Sequence, residues 1–212
     1  MNKVLDILAK TLSVLLYPLF IPTYGMLLFC HSYSTQVEPL TRVWSLVAVL
    51  GTFTLTCVIP LTAILILMRR GKVNDIQIAD SSQRTMPYVY TALGFAFWCY
   101  LMIAILHAPL YLEMIAIGST AAIALVAFIN RFWKISAHLT AAGGLLGGLL
   151  SYCLGIGAMP TWGTWALWLS ITLVLMSARL YVKAHTSAQV CAGWLLGIIC
   201  TFVPYCIFYY AG

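Results

Sequence analysis

The chain has 212 residues, of which 63% are hydrophobic and only 8% charged, and its mean hydropathy is +0.99. So few charges cannot cover the surface of a water-soluble domain, so the composition excludes one and predicts a single transmembrane domain over residues 1–212, an all-α multipass helical bundle. In such a chain the net charge of +6 reports on membrane topology before it reports on any acidic partner, and it gives no case for nucleic acid.

Seven apolar runs of spanning length follow one another, at roughly 11–30, 44–68, 86–106, 110–130, 138–157, 162–182 and 189–210. The first contains Pro18 and Pro22, which can break it into a re-entrant pair, so the expectation is six or seven spans. Lys3 and Lys10 precede it and no small-residue cleavage site follows, so it is expected to be retained. The third and fourth runs are separated only by His107, Ala108 and Pro109, as in a helical hairpin. The fifth contains AAGGLLGGLL, with overlapping GxxxG pairs at Gly143/Gly147 and Gly144/Gly148, and the seventh repeats the device at Gly193/Gly197. Both runs are therefore expected to have tight neighbours. The seven cysteines, none at metal-ligand spacing, read as small buried apolar residues.

Most polar residues fall in three connections: Arg69 to Pro87, Asn130 to His138, and the stretch ARLYVKAHTSAQ from Ala178 to Gln189. Two spans separate each from the next, so by parity all three emerge on the same side. The preference for cationic loops in the cytoplasm accounts for Arg69, Arg70 and Lys72, and together with Lys3 and Lys10 against Arg42 it makes that side cytoplasmic. It does not account for His138 and His185, each at the mouth of a helix beside a basic residue.

The spacing of Arg179, His185 and Gln189 resembles the third motif, SRxxxxxHxxxD, of the type 2 phosphatidic acid phosphatase superfamily, with Ser177 displaced by one position. Ile135, Ser136, Ala137 and His138 resemble its second motif, PSGH, keeping Ser and His. The first motif, KxxxxxxRP, is matched at Arg84, with Gln77 in place of Lys and Thr85 in place of Pro. The resemblance covers about residues 69–197. It implies a helical membrane phosphatase with a nucleophilic histidine, a phosphohistidine intermediate and no metal or other cofactor. The expected setting is a bacterial cytoplasmic membrane, where the resemblance implies work on the exported face, opposite to the side that the charge distribution favours; the implied partners are the lipid bilayer and a membrane lipid phosphate, a phosphomonoester or diphosphate.

The residues support this chemistry on their own terms. Phosphoryl transfer needs fixed cations around three equatorial oxygens, and guanidinium binds two oxygens at once. Arg179 and Arg84 suit that role, Lys134 is a third cation on the face of His138, and Ser136 can hold a phosphate oxygen. Lys183 reads equally as a side chain snorkelling to the interface. His185 must attack as the neutral imidazole, with its other nitrogen donating to an acceptor; Gln189, one helical turn on, offers a carbonyl but no charge. Asp80 or Asp75 could supply that charge, although each reads first as a solvated loop carboxylate. His138 is the acid that protonates the leaving oxygen and then the base that activates water. Two other readings use the same residues: a non-catalytic lipid-binding or transport protein on the same fold, and a lipid phosphotransferase. An ion carrier is disfavoured, since Glu113 is almost the only carboxylate in the spans.

Overall fold

The computed structural model describes residues 3–36, 42–78, 80–157 and 161–211, and among these it contains eight helices. They are α1 (Lys3–Leu15), α2 (Ile21–Gln36), α3 (Arg42–Arg69), α4 (Thr85–Ala104), α5 (Leu110–Ile129), α6 (Ala137–Ile156), α7 (Trp162–Tyr181) and α8 (Ser187–Ala211). Six of them, α3 to α8, are long and apolar enough to cross a membrane, and the chain is an integral membrane protein.

The first apolar run is not one of these spans, which corrects that part of the sequence reading. Pro18 has no N–H to give the carbonyl of Val14 and its ring would clash there, so α1 stops at Leu15. The chain turns through Leu16 to Phe20, and α2 restarts with Pro22 in its first turn, where no amide donor is needed. In α1 the residues Lys3, Asp6 and Lys10 share one face, with Lys10 and Asp6 paired at 2.7 Å, while Ala9 and Ser13 are buried and Val4, Ile7 and Leu8 are exposed. A short helix with one charged face and an apolar remainder has the make-up of an interfacial helix.

Helices α2, α3, α4, α5 and α6 form a closed ring, each touching the next and α6 touching α2. Outside it, α8 lies in the groove between α5 and α6, α7 lies behind α6, and α1 rests on α7. The contact of α6 with α8 is backbone against backbone. A Cβ on Gly143 would collide with the carbonyl of Trp194, and one on Gly197 with that of Thr140. The same closeness lets Thr201 Oγ1 reach Gly144 O at 2.9 Å and Ser151 Oγ reach Thr201 O at 2.9 Å. On α8 the inner stripe is Val190, Gly193, Gly197 and Cys200. Cys191 falls off that stripe and is exposed, so the expectation of a buried cysteine fails there, although Cys30, Cys57 and Cys200 are buried.

α3 widens to π-helical hydrogen bonding over Thr54–Val58, just before Pro60, whose missing N–H breaks the regular ladder. α4 closes on this bulge through Gly94, where any Cβ would strike the carbonyl of Leu55.

Candidate functional site

Four elements bring their ends to one cavity of about 70 Å³, lined among others by Tyr17, Gln77, Arg84, Tyr88, His138, Arg179 and His185. Arg84 comes from the turn before α4, His138 from the start of α6, Arg179 from the end of α7 and His185 from the link between α7 and α8. All four are buried. No Asp or Glu is among the described residues that line the cavity.

The stretch between α7 and α8 is two helix caps back to back. Lys183 N donates to Leu180 O at 3.0 Å and Ala184 N to Arg179 O at 3.1 Å, a Schellman ending with Lys183 in the left-handed region at φ 52°. A lysine there carries a cost of about 1–2 kcal/mol that glycine would avoid, while its cation favours the negative end of α7. Its side chain is exposed, in keeping with a group reaching for the interface.

Two residues later a capping box opens α8. Gln189 N donates to Thr186 Oγ1 at 3.4 Å, and Thr186 N donates to Gln189 Oε1 at 3.1 Å. His185 is held between the two caps, fixed in relation to Arg179 on one side and Gln189 on the other.

Gln189 Oε1 lies 3.3 Å from His185 Nδ1. The same oxygen already accepts from an amide N–H, which fixes it as the acceptor end of the side chain, so Nδ1 must carry the proton. Nε2 is then the nitrogen with a free lone pair. Burial, followed by the charges of Arg179, Arg84 and Lys134, pushes the His185 pKa down to about 4, against the opposing effect of the hydrogen bond it donates to Gln189. With four histidines in the chain, the titration can be followed by NMR and assigned with a His185→Asn variant. His185 is expected to titrate near pH 4 and to stay neutral through the range in which an ordinary histidine, near pH 6.5, gains its charge. A midpoint near 6.5 would mean that His185 is neither buried nor faced by the three cations.

His138 is held from the opposite direction. Its Nε2 lies 3.1 Å from the carbonyl of Ser13, which can only accept, so Nε2 carries the hydrogen and Nδ1 is free. The edge of Tyr17 closes on the ring, with centroids 5.8 Å apart at 89°. Tyr17 in turn donates its hydroxyl to Ile76 O at 2.6 Å, and burial raises its pKa, so it remains protonated. The sequence reading missed both Ser13 and Tyr17.

Arg84 is anchored by Nε to Ile78 O at 2.7 Å and by Nη1 to Asn130 Oδ1 at 3.5 Å. The Nε of Arg179 is buried without a hydrogen-bond partner among the described residues. Lys134 is half-buried and lies outside the cavity wall, yet burial and the repulsion of Arg84 and Arg179 lower its pKa.

Like Lys134, Ser136 is a predicted phosphate-binding residue that the structure does not bring to the cavity wall. Its Oγ is buried without a partner among the described residues, and its backbone faces α8, with Ser136 N donating to Gln189 O at 3.4 Å. Ser177 bonds back to Leu173 O at 2.9 Å and is exposed. Asp80 caps the turn before α4, accepting from Ser82 N at 2.9 Å, Ser82 Oγ at 2.8 Å and Gln83 Nε2 at 3.3 Å. These bonds lower its pKa and match the loop role first assigned to it. Gln77, in the place of the family's lysine, does line the cavity.

Buried guanidiniums without carboxylate partners cost several kcal/mol each unless an anion offsets them, so the cavity is suited to an anion with several oxygens. Two imidazoles with fixed, complementary tautomers have the chemistry required of a nucleophile and of an acid/base group. Comparison of the chain with protein-family models, with curated proteins and with solved structures returns no match.

Proposed function

We propose that the protein is a phosphatase of the type 2 phosphatidic acid phosphatase kind, releasing phosphate from a lipid phosphomonoester or diphosphate at the face of a bacterial cytoplasmic membrane. One observation carries this reading: Arg84, His138, Arg179 and His185, brought from four elements, line one buried cavity that contains no carboxylate among the described residues. In the first step His185 Nε2 attacks phosphorus and a P–N bond forms as the P–O bond to the lipid breaks. His138, protonated in the substrate complex, gives its proton to the leaving oxygen. In the second step His138 takes a proton from water, the water oxygen attacks phosphorus, the P–N bond breaks and inorganic phosphate leaves. The two arginines bind the equatorial oxygens in both steps.

The test is release of phosphate by the purified protein from a panel of lipid phosphates, compared with the His185→Ala variant. Release that depends on His185 supports the reading. Retained binding of the same lipids without release would turn it towards a lipid-binding protein.

Gln189 refines the proposal. Its amide selects the His185 tautomer but leaves the imidazolium that forms during attack without a counter-charge. Asp at this position is one methylene too short to keep both the cap and the histidine bond, whereas Glu is isosteric with Gln. Gln189→Glu is therefore expected to raise turnover about tenfold, or about 1.4 kcal/mol of barrier. Unchanged or lower turnover would show that the tautomer alone is what residue 189 has to supply.

A further inference from the structure

Inside the ring of α2 to α6 lies a second cavity, of about 140 Å³, with an apolar wall. Pro18, Leu19, Thr91, Ile123 and Ala137 line both cavities, so the second adjoins the cavity of the cation cluster. Its wall follows α5 from Val126 to Leu112, about 21 Å at 1.5 Å per residue. That is deeper than one leaflet of a hydrocarbon core about 30 Å thick.

The hydroxyls in the wall do not make it polar. Thr52, Thr56, Thr91 and Thr140 each bond to the carbonyl four residues back and Thr201 bonds to Gly144 O and Gly197 O, so these five are paired, and Ser119 adds one further hydroxyl to an otherwise apolar wall.

We propose that this cavity holds the hydrocarbon chain of the substrate, and that the substrate is a lipid phosphate or diphosphate with a single chain. The assignment rests on the phosphatase reading for the head group. Charge decides the orientation: buried cations at the mouth and hydrocarbon behind them complement an amphiphile with an anionic head. Volume decides the number of chains. A rounded cavity of about 150 Å³ accepts one benzene; here a similar volume is drawn out along about four turns of helix, which leaves no room for two chains side by side and admits the whole length of one only as the bore widens. Met26 and Met102 in the wall are flexible enough to let it widen around a chain.

The test uses the full-length protein in detergent and a hexadecyl phosphate carrying a diazirine at the far end of its chain. Light should attach it to the deep wall, at Trp98, Met102 or Leu112, and Ser119→Phe, which fills the bore midway, should cut that labelling about tenfold. Ala116→Leu, one turn nearer Leu112, is the milder second variant. In the turnover arm, hexadecyl phosphate should be preferred about tenfold over a diacyl phosphate in the wild type, and Ser119→Phe should keep release from hexyl phosphate while losing the long-chain preference. Labelling confined to outward-facing residues, or indifferent to both variants, overturns the chain site even if phosphate is released. Deep labelling without release of phosphate upholds the chain site and overturns the phosphatase reading. Equal turnover of single-chain and diacyl phosphates overturns the restriction to one chain.

Discussion

Replacing His185 by Ala is expected to lower phosphate release by about 10⁴-fold or more, the scale on which enzymes lose activity when a nucleophile is removed. The loss should not be one of folding. The link that carries His185 is held by the backbone bonds of Ala184 and Lys183 to α7 and by the capping box of Thr186 and Gln189, and none of these uses the imidazole. Circular dichroism and the elution profile in detergent should therefore match the wild type. Arg179→Ala should likewise abolish release, whereas Arg179→Lys should lose about 10²–10³-fold, the range for removal of one transition-state donor. A lysine keeps the charge but not the fork that grips two oxygens. Near-full activity in either alanine variant would remove the corresponding residue from the mechanism. Activity in Arg179→Lys equal to the wild type would mean that Arg179 acts only as a point charge.

Much of this arrangement was legible in the sequence, for reasons that differ by element. The six spans are long apolar runs with polar ends, a signal that depends on composition alone; the run read at 162–182 is the helix Trp162–Tyr181. The approach of α6 to α8 was written in glycines, because only a missing Cβ permits it. The pairing of His185 with Gln189 followed from helical spacing, although the same four residues, Thr186 to Gln189, also spell a capping box that went unread. Ser136 was assigned from the second-motif resemblance, whereas its backbone faces α8, with its amide donating to Gln189 O, a contact that the sequence does not display. The role of the N-terminus was not legible at all. The bond from His138 to Ser13 joins residues 125 apart through a backbone carbonyl, and a carbonyl carries no side-chain signature.

In the proposed mechanism that bond makes α1 a positioning element for the acid/base group, His138. Ser13 O holds the ring of His138 with Nδ1 free, so removal of residues 1–15 leaves the ring able to turn and the wrong nitrogen able to face the substrate. His138→Ala is expected to slow release from an alkyl phosphate, whose alkoxide cannot leave without a proton, by about 10²–10⁴-fold. An activated aryl phosphate, which leaves unprotonated, should be affected far less. Deletion of residues 1–15 should reproduce that selective pattern at about 10²-fold, with the alkyl substrate slowed and the aryl substrate largely spared. Most side chains of α1 are exposed and only Ala9 and Ser13 are buried, so the deletion removes little of the core. The two changes act on one ring, so they should not add: in a His138→Ala background the deletion should cost no more than about twofold further. Equal slowing of both substrates by the deletion, or full additivity with His138→Ala, would make α1 a purely structural cover and leave the orientation of His138 to Tyr17 alone.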